Sequence, residues 1–491
     1  MFTGALTTAR LKAIATLMVL STCGCAGKTQ VTSFVVHGDA SELFGSGTRL
    51  KAHYLDGGSG ARYLIAFHDT ELGIECNFVE TSQGRYACLP LRSLSTFAGS
   101  SCTQPVVQTP QSFCNNEPSV AAGDSFTVAS TDCSALQGVF SAVEQEAVDS
   151  TSWIDQAGSC TSHGALPSAW STKSEPLTQF VRGTASLVGA PEATQAVRVT
   201  AEDGAFTNLA LTANGEPCTA YADLERCVPG PVTQRSFIAF VDASCSEKAV
   251  AEVRVPIRDQ CIGAQPRYLV ETSTSCAAET AVHALGDRLD PYVLLGGCQL
   301  LSSSDPRGTE GNSYYRIGKP VSSAEFAVVH AAALGTGELT VRGFTDGDGV
   351  PIRTAPTVSF TERGSWALRD GTRCNVLLAP DGQLHCVPQI AGEDSVFSDA
   401  GCTQPLTRYR PGCPNAKIEY LAAGDLRSCP PRFDHIFAAR EYSGPVYRTS
   451  STPGQCIPDG LDQEDPPPSF LSHGEAVSPD HFPLVLDTTD Q

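Results

Sequence analysis

Twenty cysteines are spread along a chain of 491 residues. Thiols can hold a metal, cycle between dithiol and disulfide, or staple the chain. Spacing separates these chemistries. Zinc sites use close pairs such as C-x2-C, because neighbouring thiolates must converge on one tetrahedral ion. Thioredoxin-type redox centres need C-x-x-C. Neither pattern occurs. Residues 374–386, CNVLLAPDGQLHC, are representative: two cysteines bracket a Pro-Asp-Gly turn signal, with short apolar runs on either side. Antiparallel strands about that turn would bring the two Cβ atoms within disulfide reach. A Cys374–Cys386 bridge is the sharpest expectation from the sequence.

Other chemistry is sparse. The chain has 10 scattered histidines and lacks G-x-S-x-G, S-x-x-K and H-E-x-x-H. It has no P-loop and no G-x-G-x-x-G after a strand, so no cofactor is expected. His68 beside Asp69, Asp434 beside His435, and Asp242 and Asp399 in FVDAS and FSDAG read as polar surface or turn residues. FTDGDGV at 344–350 resembles a calcium loop faintly, but Val350 stands where a further oxygen ligand is needed. A Gly-rich hairpin turn fits it better. No catalytic, cofactor-binding or metal-ligating residue is assigned.

The N-terminal segment MFTGALTTARLKAIATLMVLSTCGC has a basic start at Arg10 and Lys12, then the short apolar run AIATLMVL. That run is too short to span a bilayer and has the layout of a secretory signal. STCGC resembles a bacterial lipoprotein cleavage box, with small residues ahead of a cysteine that becomes lipidated. Cys25, preceded by Gly24, fits better than Cys23, preceded by Thr22; an ordinary signal peptide is the alternative. Lipidation at Cys25 leaves an even eighteen cysteines downstream, as an oxidising compartment favours.

Those eighteen fall into three sets of six: Cys76, Cys88, Cys102, Cys114, Cys133 and Cys160; Cys218, Cys227, Cys245, Cys261, Cys276 and Cys298; Cys374, Cys386, Cys402, Cys413, Cys429 and Cys456. Their contexts recur. The second cysteine is followed by LP, VP and VP, and the third sits in FAGSSCTQP, FVDASCSEK and FSDAGCTQP. An earlier motif recurs as SFVVHGDAS, QFVRGTASL and YYRIGKPVS. All eighteen are expected in disulfides. Six cysteines allow 15 pairings, and the simplest scheme joins neighbours: first with second, third with fourth, fifth with sixth.

The organisation expected is a signal segment (1–25), a spacer (26–30), three repeats (31–175, 176–312 and 313–460) and an acidic, Pro-rich tail (461–491). The tail reads as mostly disordered, with HFPLVL a candidate docking strand. Each repeat is rich in short β-branched or aromatic runs between turn residues, so the fold class is all-β. Even the Ala-rich AEFAVVHAAAL at 324–334 is placed by its repeat context as strand or connection. Four strands per sheet and two sheets per repeat suggest a six-bladed β-propeller stapled by disulfides, with VTSFVV completing the last blade. Three tandem disulfide-rich β-sandwich domains are the alternative.

The series GTRLKAHY, FHD, CNF, CLP and SCTQP is similar to a family of Cys-rich repeat lipoproteins of Gram-negative bacteria that carries no assigned activity. The likeness covers most of 31–460; the second repeat departs from it with CSEK for CTQP. It implies architecture and an outer-membrane or secreted location only. The net charge of -20, with 33 basic against 53 acidic residues, argues against nucleic acid. The function expected is a monomeric, non-enzymatic surface lipoprotein, held to the membrane by its N-terminal lipid, that binds a protein or glycan. A secreted hydrolase or lyase with an acidic active site, or a purely structural envelope protein, are the alternatives.

Overall fold

The computed structural model describes residues 35–36, 42–82, 85–91, 93–94, 96–98, 104–108, 122–129, 136–146, 150–156, 159–166, 169–190, 194–222, 224–232, 239–247, 250–253, 267–271, 280–294, 297–300, 313–346, 350–354, 366–388, 390–392, 396–409, 418–425, 432–450, 455–459 and 469–490. The signal segment, the spacer and Cys25 lie outside them. Among the described residues every regular element is a strand or a short 3-10 turn, so the chain is all-β. The Ala-rich stretch follows suit, as a 3-10 turn (Ser323–Glu325) and strands Ala327–Val328 and His330–Leu334.

Half of each repeat feeds one ring of strands. In chain order these are β1 Leu50–Asp56, β2 Arg62–Asp69, β3 Ile74–Ser82, β4 Arg85–Pro90, β5 Arg182–Val188, β6 Thr194–Ala201, β7 Phe206–Ala213, β8 Glu216–Tyr221, β9 Arg226–Pro229, β10 Ala327–Val328, β11 His330–Leu334, β12 Leu339–Thr345, β13 Trp366–Leu368, β14 Arg373–Leu378, β15 Leu384–Pro388 and β16 Leu484–Thr489. The period-2 pattern explains why they form: on β1, Leu50, Ala52 and Tyr54 are buried while Lys51 and His53 are partly exposed. Within each repeat successive strands pair antiparallel.

The ladders also cross from repeat to repeat. Arg182 on β5 pairs with Ala87 on β4. Val328 on β10 pairs with Arg226 on β9, and β11 carries the same strand onward. On β16, Val485 pairs with Leu384 of β15, while on its other side Thr488 pairs with Tyr54 of β1. The hydrogen-bonded path therefore returns to its start. Blades of a propeller keep their ladders to themselves, and tandem sandwiches do not share them; here both separations are bridged. One core lies inside, taking Leu50, Phe67, Val199, Leu334, Leu339, Trp366 and Val485 from all three repeats.

The other half of each repeat builds a five-stranded sheet and a smaller companion. In the second repeat the larger sheet runs Pro231–Val232, Tyr268–Glu271, Ala281–Arg288, Ser313–Val321, Val250–Val253, and the smaller one Ala239–Phe240, Tyr292–Leu294, Cys298–Leu300. Ala239 and Val293 from one pack with Val250 and Tyr314 from the other. The third repeat repeats the scheme, including a parallel pair, Ile390 opposite Tyr420.

Two expected boundaries move. Ser313–Val321 pairs with Val250–Val253 and Ala281–Arg288, so the second repeat runs past 312. The supposed tail contains Ser469–Ala476, paired with Arg432–Tyr442, and then β16. The strand that closes the ring is thus near the C-terminus. The N-terminal strand Val35–Val36 does reach the third repeat, lying parallel to β11, but it closes nothing.

The same device precedes β5, β10 and β16: a 3-10 turn (Leu177–Gln179, Ser323–Glu325, Pro479–His481) and then a buried phenylalanine, Phe180, Phe326 or Phe482. Phe326 meets Tyr268 edge-on at 5.1 Å, and Phe482 meets Tyr420 likewise at 5.0 Å. Each ring strand is thereby wedged against the sheet of the preceding half-repeat. Phe482→Ala is expected to cost about 3 kcal/mol, by lost burial plus a cavity, read as a lower urea midpoint with unchanged slope.

Candidate functional site

Five bridges are described. Cys76–Cys88, Cys218–Cys227 and Cys374–Cys386 staple the three hairpins β3–β4, β8–β9 and β14–β15, first cysteine to second, as the spacing predicts. The neighbour scheme fails beyond them. The third cysteine pairs with the sixth, Cys245 with Cys298 and Cys402 with Cys456.

The reason is local. Asp242 accepts backbone N–H bonds from Ser244 (3.2 Å), Ser246 (3.1 Å) and Glu247 (2.7 Å), and both serine hydroxyls. Asp399 accepts from the N–H groups of Gly401 (3.1 Å), Thr403 (2.9 Å) and Gln404 (2.7 Å). For Asp242 the Ser244 hydroxyl leads, and for Asp399 the Gln404 N–H leads, in holding the carboxyl below its ordinary range. These loops carry Cys245 and Cys402 with φ of 52°, a conformation most side chains avoid. In that setting each thiol meets a strand of the small sheet, Cys298–Leu300 or Cys456–Pro458. The two aspartates are loop organisers. In the first repeat Gly99 takes their place.

Cys102, Cys114, Cys133, Cys160, Cys261, Cys276, Cys413 and Cys429 lie outside the described side chains. Repeat equivalence leaves one scheme for them. A non-reducing peptide map is expected to show Cys102–Cys160 together with fourth-to-fifth links Cys114–Cys133, Cys261–Cys276 and Cys413–Cys429. A Cys102–Cys114 link would contradict it.

His68 and Asp69 point to opposite faces of β2. Asp69 is buried and receives Arg49 through Nε (2.8 Å) and Nη2 (2.7 Å). Arg49 Nη2 also donates to the Gln179 carbonyl (2.8 Å), and the Arg49 and Leu50 N–H groups donate to Asp203 (3.0 and 2.7 Å). This is a joint between the first two repeats. Removing Arg49 would leave the buried Asp69 carboxylate with only the Glu71 and Leu72 N–H groups (3.0 and 3.1 Å) as partners, a defect of about 3 kcal/mol. At the other named positions, Asp434 and His435 are exposed, with His435 beside Phe437. Asp346 accepts the Val350 N–H at 2.9 Å, and residues 347–349 of the supposed Gly-rich turn lie outside the described residues. Among the described residues no group of three or more His, Cys, Asp or Glu is arranged to hold a metal.

His68 belongs to a cluster that no motif announced. On the outer face of the ring His53 Nδ1 lies 3.1 Å from Glu75 Oε2, and His53 Nε2 lies 2.6 Å from Asp487 Oδ1. His68 Nδ1 lies 3.0 Å from Glu75 Oε1. Four strands, β1, β2, β3 and β16, supply one residue each. Burial works against charge on His53, but its bonds to Asp487 and Glu75 outweigh that and raise its pKa.

Pairing registers identify the equivalent positions in the other repeats. His53, His68, Glu75 and Asp487 correspond to Val197, Thr212, Pro217 and Ala185 in the second, and to Arg342, Ala367, Arg373 and Ala331 in the third. The imidazole–carboxylate cluster therefore occurs once among three equivalent places. In the third repeat the same face opens into a cleft of about 340 Å³ lined by Ala333, Gly335, Thr336, Gly337, Thr340, Arg342, Ala367, Leu368, Arg369 and Gly371. Ala367 and Ala331 leave room where His68 and Asp487 stand in the first repeat, and Arg342 takes the place of His53. The loop at its rim is pinned by the Thr336 N–H to Ser59 O bond (2.9 Å). Gly335 (φ 109°) is required there, since a Cβ would fall 2.8 Å from that of Ala61.

Compared with protein-family models, with curated proteins and with solved structures, the chain finds no match in any of the three.

Proposed function

We propose that this chain is an exported, lipid-anchored scaffold that binds a glycan or protein at the cell envelope without chemistry of its own. The observation that carries the reading is the cleft of the third repeat. Among the described residues its lining includes Arg342 and Arg369 and no acidic residue, in a chain with formal net charge -20. Positive side chains beside small glycine and threonine residues suit planar acidic groups. The ligand class is accordingly a glycan bearing carboxylate or sulfate groups, or an acidic protein segment. The disulfides are in keeping with an oxidising compartment outside the cytoplasm, where Cys25 would tether the chain to the outer membrane.

The hydrolase or lyase reading would use His53, His68, Glu75 and Asp487, where two imidazoles and two carboxylates converge. Both ring nitrogens of His53 are already taken by carboxylates, so it offers no unengaged base.

On a glycan array the mature protein is expected to retain uronic-acid-bearing or sulfated oligosaccharides and not neutral ones. Arg342→Ala combined with Arg369→Ala should weaken that binding at least tenfold, about 1.4 kcal/mol. Retention of the acidic glycans by the double variant as strongly as by wild type would overturn the cleft assignment. Palmitate-analogue labelling in a Gram-negative host tests the anchor separately: Cys25→Ala should abolish it, and unchanged labelling would remove Cys25 as the lipid site.

A further inference from the structure

We propose that the closing strand β16 is a proton-operated latch, fastened when the His53 ring carries both protons and loosened when it loses one. The ring shares its two nitrogens between two acidic partners on different strands, Glu75 on β3 at 3.1 Å and Asp487 on β16 at 2.6 Å. A carboxylate only accepts, and a neutral imidazole has a single N–H. The doubly protonated ring satisfies both partners at once. The neutral ring donates to one and turns a lone pair toward the other, so the bridge from β3 through β1 to β16 breaks at one end.

The surrounding charges are few. Glu75 is shared with His68 of β2. On β1 itself, Lys51 donates to the Gly47 carbonyl and Asp56 lies by Arg62 of β2. Beyond β16, Asp490 accepts from Ser46 Oγ (2.5 Å) and Tyr54 OH (3.1 Å). No other cation among these groups contacts Asp487. The remaining restraints on β16 are its backbone ladders, the buried Val485 and the Pro483 carbonyl, which accepts from the Cys386 N–H at 2.9 Å. The β15 ladder, Val485 and Pro483 lie toward the start of the strand, whereas its far half is held by the β1 ladder over residues 486–489, the Asp490 N–H to the Ala52 carbonyl (3.0 Å) and the side chains of Asp487 and Asp490. The latch therefore governs fraying of residues 486–490 against β1, and the ring as a whole stays folded.

The sign follows from linkage. His53 has a folded-state pKa above its ordinary value of 6.5. The stability it adds is fully present below pH 6.5 and is lost as pH rises through the raised value. Equivalent strands β5 and β11 carry Ala185 and Ala331 at the Asp487 position, so the device belongs to the closing seam alone.

Hydrogen–deuterium exchange of the full mature chain tests this, after correction for the intrinsic rate at each pH. Protection of peptides spanning 484–491 should fall roughly tenfold from pH 6 to pH 9 as the His53 ring loses its second proton. Protection of β12 should not change. In His53→Gln, and independently in Asp487→Asn, the 484–491 peptides should stay near the alkaline wild-type level at every pH. Flat protection in wild type overturns the proposal, even if neither variant folds. So does an undiminished tenfold fall in either variant.

Discussion

A ring that is hydrogen-bonded all the way round needs its last strand to meet its first, and β16 does both jobs. It pairs with β15 through Val485 and with β1 through Thr488. Without it two strands would present unpaired N–H and C=O groups, the open edges that β proteins usually cover. The central core has the same dependence, because Val485 packs with Leu50, Leu334 and Trp366 from other repeats. The first repeat is consequently incomplete by itself: its opening strand comes from the other end of the chain.

The disulfides divide the stabilising work between short and long range. Each hairpin staple closes a loop of 12 or 9 residues, and the third-to-sixth bridges close 53 and 54. In chain-entropy terms a 12-residue loop corresponds to about 3 kcal/mol and a 53-residue loop to about 4 kcal/mol. The short staples hold strands that already pair inside the ring. The long ones hold small sheets of three strands, whose own cores are thin, to the aspartate-ordered loops beside them. The larger constraint thus sits where the apolar core contributes least.

Local features were legible in the sequence and long-range ones were not. Cysteine order and flanking residues disclosed three repeats, strand content and the Cys374–Cys386 bridge, because a hairpin and its turn lie within a dozen residues. The third-to-sixth pairing depends on a loop turned by Asp242 or Asp399, and no spacing rule contains that geometry. Aligning YYRIGKPVS with QFVRGTASL put the repeats out of phase. The true partners of QFVRGTASL are FAVVHAAAL and FPLVLDTT, each beginning at the buried phenylalanine that follows a 3-10 turn. Phe180, Phe326 and Phe482 were visible as residues, but a lone aromatic after polar residues has no periodicity to mark it. The acidic, Pro-rich composition around 461–468 masked a strand that begins only at Ser469. The His53 cluster was illegible for the plainest reason: its members are up to 434 residues apart.

That separation also explains why the cluster stands where it does. β5 turns through a short connection into β6, and β11 into β12, so those strands cannot drift far from the partners they pair with. β16 has no such tether to β1, and bringing them together spends the closure entropy of almost the whole chain. Contacts alone must hold that seam. It is there, and at neither equivalent position, that His53 meets Asp487 and that Ser46 and Tyr54 reach Asp490. Where tethering already holds the strands, the same outer positions are released for other uses: Val197 and Pro217 fill the second, and Arg342 and Arg373 charge the third. The backbone is threefold, and the difference in how its seams are held commits the outer positions of one seam to closure and leaves those of the other two without that duty.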